Sequence, residues 1–124
     1  MKIGKLITAK ETILPLCQEK VSPKLAYKLM KFISSVETEE KFYHQQMVEI
    51  VSLYGEKDNQ GHYVMIGDNI KIAEEKMQDC NNAIAALYDT EVDTPNITFS
   101  IEDFEEVKMS AKDIFAIVDF IKDK

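Results

Sequence analysis

Residues 22–55 hold the stretch that most limits what this chain can become. Ser22 is a good helix N-cap, Pro23 suits the first helical position, and Gly55 can take the left-handed conformation that ends a helix. Between them Ala26, Leu29, Ile33, Val36, Tyr43, Met47, Ile50 and Tyr54 recur at three- and four-residue steps, the pattern of one apolar helical stripe. The spacing predicts one helix of about 32 residues, hence about 48 Å long at ~1.5 Å per residue. A compact body of this chain length is roughly 35 Å across. The helix must therefore bend around residues 37–41 or have its far end covered, most simply by another copy of the chain.

The length of 124 residues suits one domain, 1–124, with one core. A hydrophobic content of 45% excludes general disorder, and no apolar run approaches the ~20 residues of a membrane span. The first residues show no apolar secretion signal, which places the protein in the cytoplasm of the cell that makes it. Cys17 and Cys80 have no metal-type spacing and read as intracellular, buried thiols. The net charge of −7 argues against general affinity for nucleic acid or anionic membrane, and all 15 basic residues are lysines. Charge is uneven: residues 1–35 carry net +5 and the remainder net −12.

Along the chain, Thr8-Ala9-Lys10-Glu11 has the form of a capping box for a first helix that Pro15 should end, with Leu6, Ile13, Leu14 and Leu16 facing the long helix. Residues 1–3 are a candidate strand. After Gly55, residues 62–66 and 70–72 flank Gly67-Asp68-Asn69 and predict a β-hairpin; the alternative has Asp68 capping a helix that includes Ile70. Met77, Cys80, Ala83, Ile84 and Leu87 predict a helix from Glu74 to Tyr88. Residues 97–99 are a candidate strand on the hairpin edge. Ser100 and Ser110 each begin a capping box, and the second opens a helix over 111–122 that is apolar on most of its circumference and should be nearly engulfed. The fold class is mainly α (α+β): a long central helix, an inserted β-hairpin and a helical C-terminal half, assembled as a homo-oligomer through the long helix and the C-terminal helix.

No catalytic motif is present, so the chain reads as a non-enzyme without cofactor or metal. His44 lies four residues after Glu40, but one imidazole and one carboxylate are too few ligands for a metal. Two charge patterns are candidate sites. Lys20, Lys24, Lys28 and Lys31 step by four, four and three, so the helical members share a face, with Tyr27 beside them, that could hold a nucleotide phosphate or an acidic protein surface. Glu102, Asp103, Glu105 and Glu106 could imitate a phosphate backbone and occupy a nucleic-acid-binding protein.

The segments Lys20-Val21-Ser22-Pro23-Lys24-Leu25-Ala26-Tyr27-Lys28-Leu29, Tyr54-Gly55-Glu56-Lys57-Asp58, Leu87-Tyr88-Asp89-Thr90-Glu91-Val92 and Met109-Ser110-Ala111-Lys112 resemble a family of small phage and prophage proteins of unknown function from Gram-positive hosts. The hairpin region here is longer than in many members. The resemblance implies expression in the cytoplasm of an infected bacterium and no particular activity. In that setting the leading expectation is an accessory protein that acts by binding, directed against host defence, which blocks a host protein or sequesters a nucleotide-like signal at Lys24, Tyr27, Lys28 and Lys31. The alternatives are a virion structural or assembly protein and an acidic nucleic-acid mimic acting through Glu102, Asp103, Glu105 and Glu106.

Overall fold

A computed structural model describes residues 1–122. Among these residues five α-helices and one two-stranded hairpin are present, so the mainly helical class holds. No helix among them is long and apolar enough to cross a membrane.

Helix α1, Ile3–Ile13, starts earlier than the Thr8 box predicts. Ile3, Leu6, Ile7, Ala9 and Ile13 are all buried, and burying that broad apolar face outweighs the missing N-cap. Thr8 sits inside the helix, where its hydroxyl donates to the Gly4 carbonyl at 2.9 Å. Only Met1 and Lys2 remain extended ahead of it: Lys2 forms an isolated antiparallel bridge with Glu91, and Ile3 N–H donates to the Thr90 carbonyl at 2.8 Å. Pro15 does end the α-helix, and the chain continues as a 3-10 turn, Leu14–Gln18, that leaves Leu14 44% exposed rather than inward.

The expected single rod is two helices, α2, Pro23–Ser35, and α3, Glu37–Tyr54, broken at Val36. Ser22 Oγ accepts the Leu25 N–H at 3.3 Å, as its cap role requires. At the other end Ser35 Oγ donates to the Phe32 carbonyl at 2.7 Å, a side-chain bond that competes with helix propagation. Val36 then leaves helical geometry, with φ −98° and ψ 0°, and is fully buried. Its carbonyl accepts Glu40 N–H at 2.9 Å and restarts the helix, whose first turn holds Glu37, Glu39 and Glu40 at the favourable end of the dipole. Both stripes fit one body through this break, so length no longer requires a second copy.

Gly55 ends α3 in an extended conformation, φ −65° and ψ 143°, not the left-handed one. Glycine is needed for closeness: a Cβ there would stand 2.7 Å from Ile70 Cγ2 and 2.9 Å from the Tyr63 ring. The hairpin is present but short. Strands β1, Met65–Ile66, and β2, Asn69–Ile70, pair antiparallel with Ile66 opposite Asn69, and Gly67 turns between them at φ +61°. Tyr63 O–H donates to the Ser52 carbonyl at 2.7 Å and ties the hairpin to the end of α3.

Helix α4, Met77–Tyr88, follows a 3-10 turn at Glu74–Lys76 and packs on α3. The segment 97–99 does not join the hairpin. Phe99 instead makes a parallel bridge with Ile121, its N–H donating to the Phe120 carbonyl at 2.7 Å, because its buried ring is held between Phe32 and Phe104. The Ser100 and Ser110 boxes both form, capping a 3-10 turn at Ile101–Phe104 and helix α5, Ala111–Ile117. Helix α5 gives way to a 3-10 turn, Val118–Phe120, short of the predicted end. It is not engulfed: Ile117 and Phe120 are buried, but Phe115 is 79% exposed.

The core has two adjoining parts. Leu29, Phe32 and Val36 meet Phe99, Ile117 and Phe120 in the larger, and Tyr43 meets Leu87 in the smaller. Helix α1 serves both, with Leu6, Ala9 and Ile13 in one and Ile3 and Ile7 in the other, so it is the shared spine of the fold.

Candidate functional site

Helix α2 buries Leu25, Leu29 and Phe32, and at 100° per residue this turns the opposite arc outward in the order Lys28, Lys24, Lys31, Tyr27, Met30. Tyr27 is 57% exposed and Met30 56%. Lys31 Nζ stands 5.3 Å from the centre of the Tyr27 ring, a cation–π contact one helical turn apart. Beyond Met30 the arc borders an apolar groove of about 320 Å3 that also includes Leu14, Cys17 and Ile33. Cys17 is exposed, contrary to the expected burial, and its surroundings push its thiol above the ordinary value by desolvation. Cys80 is buried, and both thiols are free.

At the other edge of the arc the two sequence-derived charge clusters meet. Lys28 Nζ donates to Asp103 Oδ2 at 2.6 Å. Asp103 is also the third residue of the Ser100 capping box and accepts the Ser100 N–H at 2.9 Å. A pocket of about 310 Å3 lies along this seam between Lys24 on one side and Glu102, Glu105 and Glu106 on the other. Lysine row and acidic cluster are thus neighbours that partly neutralise each other, a pairing across 75 positions that helical spacing cannot reveal. Of the lysine row, Lys20 lies exposed ahead of α2, and Lys24 and Lys31 remain directed to solvent; of the acidic cluster, Glu102, Glu105 and Glu106 are exposed while Asp103 is turned inward.

Glu40 forms an ion pair with Lys10 of α1, and His44 packs its ring beside Tyr43 at 5.9 Å. Among the described residues no three His, Cys, Asp or Glu side chains converge as a metal set.

Sequence reasoning missed a third surface. A cleft of about 440 Å3 lies between α1, the end of α4 and α5, and Phe115, Val118 and Tyr88 face it. The all-round apolar character of 111–122 is its trace in the sequence: part of that apolar surface, Phe115 and Val118, faces the cleft and not the core. No protein-family model, curated protein or solved structure matches this chain.

Proposed function

We propose that this chain is a phage accessory protein that acts by binding a host protein, with the outward arc of α2 as its contact face. The observation that carries the reading is the pairing of exposed Tyr27 and Met30 with Lys31 and Lys24 on one rigid helix. Tyr and Met are residue types enriched at protein interfaces, and two lysines beside them suit an acidic partner surface. The apolar groove next to Met30 offers a pocket for one partner side chain. The phage setting and the host-directed role rest on the sequence resemblance. Nucleic-acid mimicry is the weaker reading, because Asp103 is spent on Lys28 and Ser100.

Self-association belongs to the same proposal, on the outer side of α3. Phe42 and Leu53 are 42% and 68% exposed and lie eleven residues apart, which on a helix is nearly one line. Light scattering at micromolar concentration then gives multiples of 14.2 kDa that collapse to one copy in Leu53→Asp; a single copy in the parent chain overturns this part.

The functional reading is tested in the phage that encodes the chain, with its reading frame deleted and restored in trans. The parent chain restores growth on the restrictive host, whereas Tyr27→Ala combined with Lys31→Glu does not, although its thermal midpoint is unchanged because both side chains are exposed. Equal growth with both versions overturns the assignment of this face.

A further inference from the structure

The cleft between α1 and α5 owes its floor to a missing side chain. Gly4 lets the Tyr88 ring rest on the α1 backbone, since a Cβ at residue 4 would stand 2.2 Å from Tyr88 Cδ1. The walls are Phe115 and Val118, 79% and 48% exposed, and Phe115 is the most exposed large apolar side chain among the described residues. The backbone that carries them, α5 and the 3-10 turn after it, is anchored by buried Ile117 and Phe120. The volume of about 440 Å3 falls within the ~300–1,000 Å3 typical of small-molecule sites, which combine apolar walls with a few placed polar groups.

The placed groups here are cationic. Lys2 pairs with Asp89 at 3.3 Å and Lys5 with Asp119 at 3.4 Å, two exposed pairs at the rim. Lys112 also lines the cleft and, among the described residues, has no carboxylate partner. Among the described residues the lining therefore carries one uncompensated positive charge, in a chain whose net charge is −7.

The geometry points to a binding site for a small amphipathic monoanion, with a ring-sized apolar body against Phe115, Tyr88 and Val118 and its carboxylate or sulfonate at Lys112. A bare inorganic anion leaves the apolar walls wet. A neutral aromatic leaves Lys112 without a counter-charge. A polyanion meets Asp89, Asp119 and the acidic bulk of the chain, so a single charge fits best. This site shares no residue with the α2 face and stands or falls apart from it.

The test is a 15N chemical-shift titration of the full chain with three probes: 8-anilinonaphthalene-1-sulfonate, its neutral counterpart N-phenyl-1-naphthylamine, and inorganic phosphate. The sulfonate shifts amides around Thr8, Tyr88 and Ala116 and saturates, and its Kd weakens about tenfold in Lys112→Glu, the scale of one charge-assisted contact. The neutral probe binds both versions equally, and phosphate alone gives no saturable shift. Phe115→Ser weakens both organic probes, and both substitutions, being on the surface, leave the thermal midpoint in place. An unchanged sulfonate Kd in Lys112→Glu overturns the proposal, as does a shift map centred on the Leu14–Met30 groove. Saturation by phosphate alone overturns it too.

Discussion

The Lys28 ammonium lies 2.6 Å from the Asp103 carboxylate and fastens α2 to the turn that leads into the C-terminal part of the chain. The Asp103 side chain is 7% exposed and that of Lys28 29%. Burial pulls the Asp103 carboxyl upward, but the Lys28 hydrogen bond, the Ser100 N–H and the charges of Lys28 and Lys24 outweigh it, holding the group below its ordinary value.

That direction fixes a pH dependence. An unfolded aspartate titrates near ~3.9, so below that pH the unfolded chain takes up the proton that the folded chain refuses. The contribution of Asp103 is complete above about pH 5 and is lost as pH falls through ~4 and below. Asp103→Asn should cost about 1–3 kcal/mol near neutral pH, the usual loss when a charged hydrogen-bonding partner is removed. In urea titrations the gap between parent and variant should narrow between about pH 5 and 3. A gap that stays constant over that window would show that the ion pair contributes nothing of its own.

Phe32 joins the two ends of the larger core. Its ring centre is 4.9 Å from that of Phe120, nearly edge-on at 80°, and 6.2 Å from that of Phe99. All three are 2% exposed or less. Phe32→Ala removes the ring on which the Phe99–Ile121 bridge rests and should cost ~3–5 kcal/mol, with Phe32→Leu much milder. Hydrogen exchange supplies the specific readout: the amides of Phe99 and Lys122, which close that bridge, should exchange faster in Phe32→Ala than amides of α4. A uniform acceleration across the chain would remove the claim that Phe32 holds this bridge in particular.

The features legible in the sequence are those decided within a few residues. Ser22, Ser100 and Ser110 cap as their spacing predicts, because each cap involves only its own first turn. The break at Val36 lies just ahead of the bend expected around residues 37–41, where the apolar stripe skips from Val36 to Tyr43; its further local trace is the pair Ser34 and Ser35 ahead of a β-branched residue. The reason for Gly55 lies outside its own segment, in Ile70 and Tyr63, which show that space and not backbone freedom selects glycine there. The outward row on α2 followed from helical spacing, but the capture of Lys28 by Asp103 depended on a partner 75 positions away. The α1–α5 cleft needed three separated segments together and left no local trace beyond the apolar excess around Phe115.

Gly4 offers a prediction whose sign reverses with context. Inside a helix, Gly→Ala ordinarily stabilises by roughly 1 kcal/mol through propensity. Here the added methyl would meet Tyr88 Cδ1 at 2.2 Å, and the Tyr88 ring is held in turn by its edge contact with Tyr43 at 5.6 Å. Gly4→Ala should therefore destabilise by about 1–3 kcal/mol. In a Tyr88→Ala background the obstruction is gone, and the same substitution should stabilise. Thermal unfolding of the four versions checks the cycle. Destabilisation of equal size in both backgrounds would place the obstacle elsewhere.

The two thiols report on opposite kinds of surroundings. Cys80 is 2% exposed within α4, whereas Cys17 is open to solvent in the 3-10 turn after α1, beside the groove that adjoins Met30. Under native conditions a disulfide reagent should consume one thiol per chain, and Cys17→Ser should abolish that reaction, with the second thiol appearing only in denaturant. Thiolate is the reacting species, and partial desolvation pushes the Cys17 thiol above its ordinary value. The native reaction should therefore be slow at pH 7 and accelerate past pH 9 instead of levelling near the ~8.5 of an unperturbed thiol. Two thiols reacting at equal rates in the folded chain would contradict the burial of Cys80.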